Sequence, residues 1–166
     1  TPASVLTPLL IERSFGDDVW KLTANEISWT LGTLIGGVFV SLRGKFKDKV
    51  SAIAKGLMAH GITFVLLGLA TNFIFYLTVM GISGFFMPIV ATAETVLIQE
   101  ITQPDMMGRV FSIVHIIAAS SMPVAILIFG PLADVVSVET ILSLSGALLI
   151  LVAIIYHRSN KAKLLT

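Results

Sequence analysis

The sequence predicts an all-α membrane protein, and three observations carry that prediction. Hydrophobic residues fill 55% of the 166 positions and charged residues only 13%, whereas an ordinary globular domain carries about 25% charged residues. The apolar residues gather into blocks of bilayer length, for which about 20 residues are needed at about 1.5 Å of helical rise each. The 11 Lys and Arg residues fall mainly in the polar breaks between alternate blocks, as loops on one side of a membrane require.

In chain order, the first apolar stretch runs from Pro2 to Ile11 and covers half a bilayer. With a start at Thr1 and no initiator methionine, it reads as the remnant of a longer span. No basic segment and small-residue cleavage site precede it, so it does not read as a signal peptide. A polar stretch, Glu12 to Lys21, follows. Five complete spans are then expected, at Leu22 to Leu42, Val50 to Ala70, Phe73 to Ile98, Gly108 to Ala133 and Val138 to Tyr156. Backbone donors in lipid must be satisfied within the segment, so each is a helix, with internal Gly and Pro tolerated as kinks.

Nine of the eleven basic residues fall on one side of this arrangement: Arg43, Lys45, Lys47, Lys49, Lys55, Arg109, Arg158, Lys161 and Lys163. By the positive-inside bias that side is cytoplasmic, and the C-terminus lies there. Arg13 and Lys21, with Glu12, Asp17, Asp18, Glu26, Asp134 and Glu139, lie on the other.

Several function classes are excluded. A formal charge of +1 leaves no basic face able to neutralise many phosphates, so no nucleic-acid partner is expected. The chain has no cysteine, hence no disulfide framework or thiolate metal site. Zinc-protease, nucleophile-elbow and phosphate-loop signatures are missing, so neither an enzyme nor a bound cofactor or metal is expected.

Two loops carry more information. On charge alone, Gly44 to Val50 (GKFKDKV) is a basic loop whose lysines meet anionic headgroups. Gly44, Asp48 and Lys49 also match the Gly-x-x-x-Asp-Arg/Lys pattern of the major facilitator superfamily, found between the second and third helices of each half. That pattern continues with a second Gly and a basic pair, where this sequence has Val50, Ser51 and Ala52. The segment Glu94 to Ile113 (ETVLIQEITQPDMMGRVFSI), followed by Ser121 to Asp134 (SMPVAILIFGPLAD), resembles the macrolide-efflux and enterobactin-exporter-like branch of that superfamily. The positions that agree are Gln99, Pro104, Gly108, Arg109, Val110, Pro123, Gly130, Pro131 and Asp134. The resemblance implies that residues 1–166 form the C-terminal transmembrane half of a twelve-helix fold, helices seven (partial) to twelve, with the N-terminal half as partner.

Physical chemistry agrees with that placement. Pro104 suits a first helical turn, where its missing N–H costs nothing, and Asp105 sits at the positive end of the same helix dipole. Arg109, one turn on, is either an interfacial anchor that snorkels to the surface or a gate contact to the other half. Asp105, Gly108 and Arg109, with Gly44, Asp48 and Lys49, are therefore the candidate cytoplasmic gate and loop residues.

Glu94 is the carboxylate plainly inside a span, about 6 Å from its end at helical rise. It either pairs with a nearby basic loop or takes up and releases a proton as access alternates. His115, on the fifth span near its entrance, is the second proton-coupling candidate. His60, near the middle of the third span, is expected to bond a neighbouring backbone or hydroxyl group instead. Phe85, Phe86 and Met87, beside the bend expected at Pro88, and Ser120 and Ser121, beside that expected at Pro123, are cavity candidates. Bent helices near mid-bilayer are where transporter sites tend to lie, though ordinary packing is the alternative for each. Gly130 and Pro131 mark a further bend, and Gly32 and Gly36, four apart, allow close helix approach.

The resemblance implies a multi-pass exporter in a bacterial cytoplasmic membrane. It would move an amphipathic small molecule such as a drug, macrolide or siderophore in exchange for protons. A lysophospholipid flippase of the same superfamily and a non-transporting membrane scaffold are the alternatives.

Overall fold

A computed structural model describes residues 2–163 apart from 17, 45 and 47. Asp17, Lys45 and Lys47 of the orientation argument thus lie outside the described residues, as do the side chains of Lys161 and Lys163. Six α-helices follow one another: α1 (Pro2–Phe15), α2 (Val19–Arg43), α3 (Lys49–Gly68), α4 (Phe73–Ile101), α5 (Met107–Val135) and α6 (Val138–Lys163). A single 3-10 turn, Pro104–Met106, leads into α5.

The ends of these helices follow from local chemistry. Gly44 closes α2 with φ +73°, a left-handed backbone that glycine adopts without Cβ strain. Asp48 caps α3, its carboxylate accepting from the Ser51 N–H at 2.9 Å, and Asn72 caps α4 by accepting from the Ile74 N–H at 2.8 Å. The α4 helix runs to Ile101, three residues past the boundary expected from hydropathy. Gln99 and Glu100 are polar but good helix formers, and the helix gives way at Thr102, whose backbone is extended, just before Gln103, which the following Pro104 also keeps extended. Glu94 therefore stands about 10 Å from the helix end at helical rise, deeper than the sequence suggested.

Among the described residues, four helices are long and apolar enough to cross a membrane: Lys49–Gly68, Phe73–Ile101, Pro104–Val135 and Val138–Ser159. The chain is thus a multi-pass membrane protein. The 25 residues of α2 are also long enough, but Thr23, Asn25, Glu26, Ser28 and Thr30 make its first half polar. At 14 residues, α1 is half-length.

Helix pairs are joined through residues without side chains. On the α2 side, a Cβ added at Gly32 would meet the Gly81 carbonyl and one at Gly36 the Phe85 carbonyl, so α2 and α4 approach to backbone contact. Gly61, Gly68 and Gly146 do the same between α3 and α6. The main apolar core lies at the end away from Arg43 and Lys49. There Leu6, Leu10 and Ile11 of α1 pack with Leu67, Tyr76, Val79, Ile141 and Leu142. Phe15, Trp20, Phe73 and Tyr76 form an aromatic cluster beside it, with ring centroids 5.4–6.1 Å apart.

Packing is uneven. The α5 helix lies mainly against α1, and of its 29 residues only Ala125 and Ala133 are buried. Ile113, Ile116, Ile117, Val124, Leu127 and Ile128 stand exposed along it.

Candidate functional site

The loop motif is assembled as one unit at the basic end of the bundle. Gly44 makes the turn, Asp48 caps α3, and Lys49 pairs with Glu100 at the end of α4 at 2.7 Å. Beside it, Phe39, Arg43, Phe46, Asp48, Ser51, Lys55 and Phe86 line a hollow of about 540 Å³ between α2, α3 and α4. The Arg43 guanidinium lies 5.8 Å from the Phe39 ring centre, a cation–π distance.

The second loop is left open. Asp105 and Arg109 are exposed, and neither makes a hydrogen bond or ion pair among the described residues. Gly108 has nothing near its missing Cβ. The helix start agrees with the chemistry of Pro104, which occupies the first turn of the 3-10 segment.

Glu94 is exposed on α4. His115 is exposed on α5. The two stand on helices that do not pack along one another, so this chain does not assemble them into one site. Phe85 packs against Phe39 at 5.6 Å and against Phe86 edge-on at 5.4 Å between ring centres, and Met87 is exposed. On α5, Ser120 is exposed, while the Ser121 hydroxyl donates to the Ala118 carbonyl at 2.6 Å. The aromatic patch and the serine patch thus lie on separate helices.

The prolines sit inside continuous helices: Pro88 in α4, Pro123 and Pro131 in α5, with Gly130 beside the last and open space around it. Pro88 has no N–H to give the Gly84 carbonyl four residues back. The Thr33 hydroxyl of α2, 3.0 Å from the Trp29 carbonyl of its own helix, also lies 3.3 Å from the Gly84 carbonyl and can be shared between the two.

Two polar clusters escaped the sequence reading. His60 is buried, and its Nδ1 lies 3.1 Å from the Ser83 hydroxyl, which also receives the Thr63 hydroxyl at 3.1 Å. The neighbouring hydroxyl expected for His60 is thus that of Ser83. In the second cluster, the Tyr76 hydroxyl donates to Asn25 Oδ1 at 2.9 Å, and Asn25 Nδ2 donates to Glu26 Oε1 at 3.1 Å. Only the isolated polarity of Asn25 and Glu26 within an apolar block signalled it, since no local spacing links residue 25 to residue 76.

The described residues thus form a cluster of membrane-length helices with these two loops, and the proteins the chain is similar to are efflux proteins. Over 164 residues, 98% of its length, the chain is 30% identical to macrolide efflux protein A of Streptococcus pyogenes, of which it covers 40%. It is 29% identical over 127 residues, 75% of its length, to macrolide efflux protein A of Enterococcus faecalis, of which it covers 39%. The chain therefore spans about 40% of the length of the curated relatives it matches. No family model matches it, and no solved structure does.

Proposed function

We propose that this chain is the C-terminal half of a bacterial secondary exporter that moves amphipathic small molecules, macrolides among them, out of the cell in exchange for protons. The observation that carries the reading is α5. A helix this apolar, with two buried residues in 29, calls for cover by a partner, a lined cavity or lipid along the rest of its surface. The exposed stripe Ile27, Leu31, Leu34, Ile35 and Val38 on α2 makes the same demand. An N-terminal half of the same transporter, with the bilayer around both, meets both demands, and rocking of the halves alternately exposes a path between them.

In this reading the basic end is cytoplasmic, and Asp105, Gly108 and Arg109 meet the other half when that side closes. The Asp105 and Arg109 side chains have no ion-pair partner among the described residues, which suits such a role, whereas Asp48 and Lys49 brace α3 and α4. Phe85, Phe86, Met87, Ser120 and Ser121 offer an adaptable wall of aromatic, thioether and hydroxyl groups to a lipophilic ligand. Glu94 and His115 are the proton-coupling candidates toward the cytoplasmic side.

The test is reconstitution of the full-length protein in proteoliposomes with a pH gradient and a labelled macrolide. Macrolide movement that follows the gradient and stops when it is collapsed is the expected result. No movement, or movement indifferent to the gradient, contradicts the reading, and Glu94→Gln with undiminished gradient-driven movement removes the assignment of Glu94.

A further inference from the structure

At the end of the bundle away from the basic loops, polar side chains from two helices form one hydrogen-bonded chain that ends on an exposed carboxylate. The Tyr76 hydroxyl of α4 donates to Asn25 Oδ1 of α2, and Asn25 Nδ2 donates to Glu26 Oε1. Tyr76 and Asn25 are buried, with exposures of 0% and 1%, and Glu26 is exposed. The sense of the chain follows from the groups: once the phenol donates to the amide oxygen, the amide nitrogen is left to donate onward. Two buried polar groups thus aim one donor at one carboxylate.

The place of that carboxylate matters. Glu26 lies seven residues into α2, which starts at Val19, or about 10 Å along the axis at helical rise. It shares an exposed line with Thr23 and Thr30, whereas Gly32 and Gly36 set the face that α4 covers. With α2 in the bilayer, as the export reading has it, an ionisable side chain there faces a protein interior or a water-filled path by default. Among the described residues, most of the other charged groups at this end are engaged elsewhere. Lys21 pairs with Asp18 at 2.6 Å and bonds the Phe15 carbonyl, Arg13 pairs with Asp134 at 3.2 Å, and Glu139 accepts from Ser14 at 2.6 Å. Glu12 lines a hollow between α1 and Leu22, and α4 presents only the Tyr76 phenol. Asn25 is the hydrogen-bond partner of Glu26 among the described residues.

We infer that Glu26 is a site for a single proton on the outer half of the transport path, with Asn25 and Tyr76 as its positioning residues. The inference rests on the export reading above. The Glu26 carboxylate takes a proton from water at the end away from the basic loops and becomes the neutral acid. The proton returns to water at the basic end when the path opens there, restoring the carboxylate. Because the ionised form is the better acceptor for Asn25 Nδ2, each change of charge alters a chain of bonds reaching α4. An organic ammonium carries the same single charge, and the experiment separates it from the proton.

The test uses the full-length protein in lipid, by infrared difference spectroscopy across a pH step and by macrolide transport. The wild type should show a carboxylic-acid carbonyl band that Glu26→Gln lacks, and Tyr76→Phe should shift the pH midpoint of that band. Glu26→Gln should lower gradient-driven macrolide movement by at least about tenfold, while gradient-free macrolide exchange stays within about twofold. Glu26→Asp should retain part of the drive. An unchanged band in Glu26→Gln, or undiminished driven transport, overturns the inference. Macrolide binding weakened by Glu26→Gln with the band unchanged overturns it in favour of an ammonium site. If the wild type moves no macrolide yet the band is lost in Glu26→Gln, the export reading falls and the proton site stands.

Discussion

The α3 helix and α5 make an instructive pair. The stretch Lys49–Gly68 has a mean hydropathy of 1.6 and is 39% buried within the chain, whereas Pro104–Val135 is more apolar at 2.1 and only 6% buried. Apolarity therefore does not decide which helix goes inside. Small residues do: α3 places Gly61 and Gly68 against the α6 backbone, while Gly130 of α5 has nothing within reach. In lipid the hydrophobic effect does not separate the two, so close packing and buried polar bonds sort the helices.

The largest effect should come from filling the α3–α6 seam. Gly146→Leu drives a side chain into the Gly61 carbonyl and Val65, and thermal unfolding of the full-length protein in detergent should show a loss of at least about 1–3 kcal/mol. A wild-type melting profile for that variant would break the contrast. Next, Ser83→Ala removes the hydroxyl that partners the buried His60 Nδ1, while Thr63 keeps its bond to the His60 carbonyl, and the loss should be about 1–3 kcal/mol in the same assay. Loss of the α3 cap in Asp48→Ala should cost about 1 kcal/mol, with Asp48→Asn recovering most of it. Smaller still, the part-exposed Lys49–Glu100 pair should contribute under about 1 kcal/mol and fade with added salt, as a double-mutant cycle will measure. On the open side, Gly130→Ala should leave stability unchanged or raise it by about 0.5–1 kcal/mol, as glycine replacement in a helix interior does. A large loss there would mean that α5 is tightly covered at that point.

Much of this architecture was legible in the sequence, because membrane length and loop charge are local properties. The starts of α3 and α4, the Pro104 turn and the Gly32–Gly36 contact all follow from residues within a few positions of one another. Boundaries set by hydropathy stopped too early where polar helix formers continue a helix, as Gln99 and Glu100 do at the end of α4. The candidate site was legible only in pieces. Phe85 and Ser120 stand on α4 and α5, which do not bring them together, and no local spacing relates the two positions. The Tyr76–Asn25–Glu26 chain joins residues some 50 positions apart, and its members meet only when α2 and α4 pack. The approach of the Thr33 hydroxyl to the carbonyl left without a donor by Pro88 was hidden for the same reason.

The proposal that α5 faces a cavity or partner is tested most directly by cysteine labelling, with the exposed face of α6 as the comparison and this cysteine-free stretch as a ready background. Ser120→Cys on α5 and Leu148→Cys on α6, both at exposed positions, would be introduced into the full-length protein and treated in membranes with a water-soluble maleimide. The account predicts that Ser120→Cys reacts and is slowed by a macrolide while Leu148→Cys stays silent. Equal silence at both positions would place α5 in lipid and contradict it.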